Sequence, residues 1–162
     1  KGQYRIKDNF LAFWFRFVYP MRSFIESDHA EIAMAKLKTG FIPNHVGYVY
    51  EDICRQKMWE LNTQGKLPFL FDRVGRWWGG KDTEIDIVAI DTTDRSKIIF
   101  GECKFHQNVP MQLSELHQLK EKASVVPWGN ANRDEYFVLF CISGYSEDLQ
   151  QLAQEDSHLL LM

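Results

Sequence analysis

The chain has 162 residues, of which 45% are hydrophobic, and it contains 12 Phe, 6 Tyr and 5 Trp. This composition excludes a disordered polypeptide and predicts a packed globular domain with a flanking element. The formal net charge of −3 gives no overall basic signal, so nonspecific affinity for nucleic acid should be weak.

The cysteines and the apolar segments indicate a cytoplasmic protein. Cys54, Cys103 and Cys141 are far apart and lie in apolar patterns. This spacing is typical of neither a zinc site nor a disulfide framework, and it fits a reducing compartment. The apolar run over residues 10–19 is too short to span a bilayer and contains Arg16, and no signal peptide is present. We therefore expect no membrane association.

Residues 1–43 are predicted to form an aromatic-rich helical segment. A helix over residues 4–19 would have Asp8 or Asn9 at its N-cap and Pro20 just past its end. This helix is apolar on most sides, so we expect it to be buried against this domain or against one further upstream.

A second, shorter helix is predicted in the same segment. It covers about residues 29–39, with Ser27 and Asp28 as its cap and Gly40 as its end. Residues 1–43 are thus expected to pack as a helical unit on the following domain or on an upstream one.

Residues 44–162 are predicted to form the second domain, which opens with a helix and a strand. The helix over residues 44–61 has apolar residues at three- and four-residue spacing. Glu51 lies on the flank of that apolar face, where it is either an ordinary solvated acid or a functional one. Residues 68–78 follow as a strand, and the glycines at 75–80 permit turn geometry or the close approach of another backbone.

Two short runs rich in β-branched residues, 84–90 and 98–104, are separated by turn residues and predict a β-hairpin. Strand alternation assigns their apolar side chains to two faces. One face carries Val88, Ile90, Ile98 and Phe100, and the other carries Ile85, Ile87, Ala89, Ile99, Gly101 and Cys103. Strands that are apolar on both faces are usually covered on both sides, so we expect covering layers above and below this hairpin.

Charged residues gather at one end of the first face. A loop of about five residues sets Asp86 opposite Glu102 in an antiparallel register. The same register sets Glu84 opposite Lys104, which brings three carboxylates and one ammonium group together. Two interpretations are open at this point. The cluster is either a structural ion pair whose other carboxylates reach solvent, or a divalent-cation site in which a hard cation relieves carboxylate repulsion.

The remaining elements complete an α/β fold. Residues 110–125 and 146–154 predict helices, and residues 136–142 and 158–162 predict strands. The polar face of the first of these helices offers solvated side chains that could touch a phosphate backbone: His117, Gln118, Lys120 and Lys122. The order from residue 44 is helix–strand–strand–strand–helix–strand–helix–strand. This order predicts a mixed central sheet with flanking helices on both faces.

The element order and the charged motif resemble those of the PD-(D/E)XK nuclease superfamily. Asp86 lies on the second predicted strand, and Glu102-Cys103-Lys104 lies on the third. More closely, the chain resembles the C-terminal domain of unknown function attached to archaeal and bacterial P-loop ATPases of the AAA-like class. That likeness covers nearly the whole chain and is carried by the runs at residues 4–10, 13–17, 75–78, 84–88 and 101–104. It implies a restriction-endonuclease-like αβββαβ core behind an aromatic-rich helical segment.

The resemblance also implies roles for individual residues. Asp86 and Glu102 match the metal-binding carboxylates, and the Cys103 backbone carbonyl is a further ligand. Lys104 matches the motif lysine that orients water or stabilises the charged transition state. Glu51 occupies the helix position from which many members contribute another catalytic acid.

The function implied by the resemblance is hydrolysis of DNA phosphodiesters, with Mg²⁺ or Mn²⁺ as the cofactor. The catalytic domain would follow a P-loop ATPase in a longer chain, and the start at Lys1, which is not Met, fits a fragment. Two alternatives stay open. The domain is a nucleic-acid-binding module with weak or no cleavage, or a protein-interaction module whose aromatic helix docks on the ATPase. The oligomeric state is left open, with a homodimer as one option.

Overall fold

The computed structural model describes residues 5–80, 83–130 and 132–162, except for the side chains of residues 43 and 44. No helix in these ranges is both long enough and apolar enough to cross a membrane.

The described elements group into two compact units. One unit ends at Val49, and the other runs from Tyr50 to Met162. The assignment of residues 1–43 and 44–162 to separate domains stays a prediction.

The first unit is built from short helical pieces. They are α1 (Asn9–Phe13), a π-helical turn (Trp14–Val18), a 3₁₀ turn (Tyr19–Met21), α2 (Arg22–Glu26), α3 (Ala30–Phe41) and a second π-helical turn (Ile42–Val46). Asp8 accepts a hydrogen bond of 2.8 Å from the Leu11 N–H, which confirms the predicted N-cap of α1. The predicted single helix is divided because Pro20 has no N–H to continue the α-helical pattern. Instead, the Tyr19 N–H bonds to the Trp14 carbonyl in the wider π-helical register. The predicted start at residue 4 lies outside the described residues.

Helix α3 differs from the prediction at both ends. It runs through Gly40, because a glycine inside a helix costs only about 1 kcal/mol relative to alanine. Its N-cap residue is His29, which makes no side-chain cap bond, so the predicted cap by Ser27 and Asp28 is wrong. Asp28 has a left-handed φ of 60° and turns the chain between α2 and α3.

The apolar side chains of the first unit are largely exposed. None of the residues in α1, α2, α3 and the turns between α1 and α2 is buried. Phe10 is 66% exposed and Phe15 is 51% exposed. The segment therefore presents a broad apolar surface, and its burial against an upstream domain stays a prediction.

The second unit contains most of α4 (Gly47–Thr63) and all of the sheet. The elements after α4 are β1 (Arg73–Gly79), β2 (Thr83–Ile90), β3 (Lys97–Lys104), α5 (Leu113–Ser124), β4 (Asp134–Cys141), α6 (Glu147–Glu155) and β5 (Leu159–Leu161). In the described residues they form a five-stranded sheet of order β1-β2-β3-β4-β5. Strands β1 to β3 are antiparallel, and β3 to β5 are parallel. The predicted element order and the predicted α/β class with a mixed sheet and flanking helices are confirmed.

Both faces of the sheet are covered, as the apolar strands require. Ile98 and Phe100 of β3 are fully buried in a cluster with Leu116 and Leu119 of α5 and with Leu149 of α6. The other face carries a second cluster with α4, which contains Cys54, Met58, Ile87, Ala89, Ile99 and Val138. The apolar residues at three- and four-residue spacing in α4 and α5 therefore fill the two layers of the core.

The hairpin register is the one that the sequence predicts. Ile87 pairs with Gly101, and the ladder continues to the pair of Ile90 with Ile98. At the other end the ladder stops at Ile87, one residue before Asp86 is reached. There the Cys103 N–H donates to the side chain of Asp86 instead of to a backbone carbonyl of β2.

A β-bulge in β2 changes one of the predicted faces. Gly75 pairs with Val88 and Trp77 pairs with Ile85, so β2 has one more residue than β1 across this interval. As a result, Ile85 packs in the cluster with α5 and α6, whereas Ile87 packs in the cluster with α4. The prediction that Ile85 shares a face with Ile87 is therefore wrong.

The close packing at Gly101 gives a test of this sheet. A Cβ at Gly101 would lie 2.8 Å from Val138 Cγ1 and 2.9 Å from Ile87 Cβ, and both neighbours are fully buried. We expect Gly101→Ala to lower the free energy of unfolding in urea by about 1–3 kcal/mol through overpacking. Gly75→Ala is the matched control, because a Cβ there meets no atom within 4 Å. Equal effects of the two substitutions would contradict the described packing of β3.

Candidate functional site

The candidate site begins at Asp86, where β2 and β3 separate. The Asp86 carboxylate accepts a hydrogen bond of 2.9 Å from the Cys103 N–H of β3. The Asp86 carbonyl accepts a hydrogen bond of 3.0 Å from Arg55 of α4. The main chain and the side chain of this one residue thus link β2 to two different elements, and the carboxylate is held in a partly buried position.

Glu102 is the most buried carboxylate of the site, and two lysines hold it. Its side chain is 8% exposed. Lys104 Nζ lies 2.8 Å from Glu102 Oε1, and Lys122 Nζ lies 3.1 Å from Oε2. Lys122 comes from α5, so this carboxylate connects the sheet to a helix. From the sequence, Lys122 was placed on the polar face of α5. The sequence feature that comes closest to indicating its contact with Glu102 is its position next to Ala123, which belongs to the buried stripe of α5.

The surroundings of Asp86 shift its pKa. Burial and the nearby Glu102 carboxylate raise the pKa of Asp86 above its ordinary value. The Cys103 N–H and the charges of Lys104 and Arg76 oppose that rise. Burial alone would lower the pKa of Lys104, but the contact with Glu102 and the Asp86 charge raise it above its usual range. Lys104 is therefore cationic at neutral pH.

Glu51 belongs to a neighbouring ion-pair group. Its side chain is 14% exposed and contacts Arg76 of β1 directly. Arg76 also forms an ion pair of 2.8 Å with Glu84, and Arg55 lies 3.8 Å from Glu51. The described contacts connect Glu51 to Asp86 through these two arginines. Neither arginine was singled out from the sequence, although Arg76 lies in the Gly-Arg-Trp-Trp run.

The Cys103 side chain has a structural position. It lies in the cluster with α4, and its hydrogen bond with Cys54, followed by burial, raises the pKa of the Cys103 thiol. A protonated, buried thiol is a poor nucleophile and a poor metal ligand. Cys103 serves the site through its N–H, and the role of its carbonyl as a metal ligand stays a prediction.

The donor set fits a hard divalent cation that keeps part of its water. Among the described residues, no group of three or more His, Cys, Asp and Glu side chains is arranged to hold a metal ion. Mg²⁺, however, is commonly bound through one or two carboxylates together with waters and substrate phosphates. Asp86 and Glu102 supply two such carboxylates, and the raised pKa of Asp86 marks a repulsion that a cation would relieve.

Comparison with known proteins places the chain in a family. Residues 14–122 match the model of the DUF234 family, described as archaeal and bacterial proteins of unknown function. The match covers most of the chain, so this protein belongs to that family. The matched range includes all five residues to which site roles were assigned.

The chain is also similar to a curated protein. The chain is 34% identical over 140 residues to an uncharacterized protein of Methanocaldococcus jannaschii. The matched region covers 86% of this chain and 30% of that relative, so the chain spans about a third of the relative's length. No solved structure matches the chain. The likeness to PD-(D/E)XK nucleases stays a prediction.

The raised pKa of Asp86 predicts the effect of neutralising it. Because the pKa of Asp86 is higher in the folded state than in the unfolded state, the ionised carboxylate opposes folding at neutral pH. That cost disappears as the pH falls through the raised pKa. We expect Asp86→Asn to leave the free energy of unfolding at pH 7 unchanged or to raise it by up to about 1 kcal/mol. The difference should shrink toward about pH 4, as measured by urea unfolding across that range.

Asp91→Asn is the control for this measurement. The Thr93 hydroxyl and N–H hold the pKa of Asp91 below its usual value, so its ionised form favours folding and the substitution should have the opposite sign. A loss of several kcal/mol from Asp86→Asn would make Asp86 a buried structural partner.

The pairing of Glu51 predicts a cost for removing Arg76. Arg76→Met leaves a carboxylate that is 14% exposed without its closest cation, so we expect a loss of about 2–3 kcal/mol of unfolding free energy. Adding Glu51→Gln should recover part of that loss. Lys57→Met is a suitable control, because its ion pair with Glu60 is exposed and is worth less than about 1 kcal/mol. If Arg76→Met costs no more than this control, Glu51 is not held by Arg76.

Proposed function

We propose that the second unit is a nuclease domain that hydrolyses DNA phosphodiesters with Mg²⁺ or Mn²⁺. The observation that carries this proposal is the meeting of the partly buried Asp86 carboxylate, the buried Glu102 carboxylate and the Lys104 ammonium group at the separated end of two strands. Charge clusters of this kind are expensive to maintain, and they occur preferentially where chemistry needs them.

In this mechanism Asp86 and Glu102 hold the cation. When bound, the cation would polarise a phosphoryl oxygen and lower the pKa of a water molecule. The Cys103 N–H fixes the orientation of the Asp86 carboxylate. Lys104, whose raised pKa keeps it charged, stabilises the negative charge that develops on the phosphoryl group.

Attraction of a polyanionic substrate depends on the bound cation, because neither the net charge of −3 nor the local side chains favour one by themselves. Four cationic side chains, Arg55, Arg76, Lys104 and Lys122, contact the acids at this end of the sheet. The acids are Glu51, Asp52, Glu84, Asp86 and Glu102, one more than the cations. A bound divalent cation would reverse that balance and would favour a phosphate backbone locally. Glu51, which Arg76 engages, would then position that arginine, and its assignment as a catalytic acid stays a prediction.

We further propose that the domain works beside a P-loop ATPase of the same longer chain. The support is that the archaeal relative extends well beyond the matched region, which makes up 30% of the relative's length. The free, buried state of Cys54, Cys103 and Cys141 fits a cytoplasmic location.

A protein-interaction module is the second candidate, and the exposed aromatic residues of the first unit favour it. Trp14 is 40% exposed and Tyr19 is 49% exposed, in addition to Phe10 and Phe15. Contiguous exposed apolar surface commonly marks a protein contact. In this alternative the first unit docks on the ATPase, and the charged site holds the sheet and helices together.

Cleavage assays separate these functions. The chain, alone and joined to its natural upstream segment, is incubated with DNA and Mg²⁺ or Mn²⁺. We expect cleavage that chelation abolishes and that Asp86→Ala or Glu102→Ala removes together with metal binding. Lys104→Ala should slow cleavage about a hundredfold or more while metal binding persists, because it removes only transition-state stabilisation.

Asp91→Ala, an acid beyond the other end of β2, is the control and should cleave normally. A DNA-binding module would bind DNA in every variant without cleavage. An interaction module would do neither, and its contact with the ATPase would fail when Trp14 is made polar. Metal-dependent cleavage that survives Asp86→Ala and Lys104→Ala would place the chemistry elsewhere.

A further inference from the structure

Lys122 holds a position that a metal ion would need. Its ammonium group lies 3.1 Å from Oε2 of Glu102, while Lys104 occupies Oε1 at 2.8 Å. Both oxygens of the buried carboxylate are thus engaged by cations of the protein. A divalent ion that binds Glu102 has to compete with at least one of them.

The partners of the two lysines indicate which one can leave Glu102. The contact with Lys104 neutralises Glu102, and Lys104 also counters the charge of Asp86. Lys122 adds a second positive charge to the same carboxylate. The two lysine side chains are equally exposed, 30% for Lys122 and 29% for Lys104, so the distinction is that Lys104 also counters Asp86. The long flexible stem of Lys122 can carry its ammonium group away from Glu102 without crossing the core.

We propose that Lys122 is a placeholder cation, which occupies Glu102 in the metal-free protein and turns to a substrate phosphate when a divalent ion takes its place. This inference rests on the proposed function of the site and adds to it a residue of α5. It also explains how a carboxylate that is 8% exposed is held in one orientation before any metal arrives.

The exchange has a consequence for nucleic-acid binding. Without metal, Lys122 is paired with Glu102 and contributes little to phosphate binding. With metal bound, it becomes available, and each lysine that contacts a phosphate adds about one unit to the salt dependence of binding. Lys122 should therefore affect DNA binding in the presence of metal and not in its absence.

Lys120 provides a matched control on the same helix. Its ammonium group lies 5.2 Å from the centre of the Phe137 ring and is not among the described partners of Glu102. Lys120→Met removes the same charge from α5 as Lys122→Met. A general electrostatic effect would change metal affinity equally in both variants. Displacement of a lysine from Glu102 would change it in Lys122→Met alone.

The test is calorimetric titration of Mn²⁺ into the 162-residue chain and its variants, without DNA. We expect Lys122→Met to tighten Mn²⁺ binding about threefold or more, because it removes a competing ion pair. Lys120→Met should leave the affinity unchanged. Lys122→Arg keeps the charge, so its Mn²⁺ affinity should resemble that of the wild type. Lys122→Gln should bind Mn²⁺ as tightly as Lys122→Met, and it provides a second test if Lys122→Met is unstable.

A second titration follows a short fluorescent DNA by anisotropy at several salt concentrations, with Asp86→Ala as the metal-free reference. Lys122→Met should reduce the salt dependence by about one unit when Mn²⁺ is saturating, and leave it unchanged with chelator. If Lys122→Met reduced the salt dependence of DNA binding equally with Mn²⁺ and with chelator, the proposed exchange would be wrong.

The outcomes separate this inference from the function on which it rests. If wild-type protein binds Mn²⁺ through Asp86 and Glu102 but Lys122→Met binds it no more tightly, the placeholder role is wrong and the metal site stands. If no variant binds Mn²⁺ at millimolar concentration, the metal-dependent function fails, and the inference fails with it. Binding that appears only in Lys122→Met and Lys122→Gln would support the placeholder role directly.

Discussion

The hydrogen bond from the Cys103 N–H to the Asp86 carboxylate is the contact on which the arrangement of the charged site depends. It replaces a main-chain bond at the point where the ladder between β2 and β3 ends. The Asp86 carbonyl accepts a hydrogen bond from Arg55 of α4. A carboxylate fixed at both its side chain and its backbone cannot turn to solvent, and so it stays within electrostatic reach of Glu102.

The charges around this point are unevenly compensated. Glu51 has Arg76, and Glu102 has two lysines, whereas the hydrogen bond described for the Asp86 carboxylate comes from a neutral backbone N–H. The residual repulsion is therefore concentrated at Asp86. A fold that only needed an ion pair at this position would gain by removing Asp86, since partial burial of an ionised carboxylate is costly. This imbalance is the physical basis of the chemistry proposed for the site.

The features that the sequence could predict are local. Strand alternation and the turn residues between the two runs were enough to give the register of the hairpin, and helical spacing was enough to give the element order. The bulge could not be predicted, because it depends on how Gly75 and Trp77 pair with a strand that follows them. The contacts of Arg76 and Lys122 could not be predicted for the same reason. Each contact joins two elements, and sequence periodicity does not specify how those elements are placed relative to each other.

The two outer strands of the sheet also determine how it can meet another polypeptide. An open edge is a template for strand addition, which leads to aggregation when it is long and regular. At one edge β5 has three residues, Leu159–Leu161, so an incoming strand would find few groups to bond with. At the other edge β1 is longer, but its pairing with β2 shifts register between Gly75 and Trp77 and is therefore irregular. Arg73 and Arg76 also add charged side chains to this strand. Among the described strands, both outer edges therefore offer an incoming strand little regular backbone to pair with.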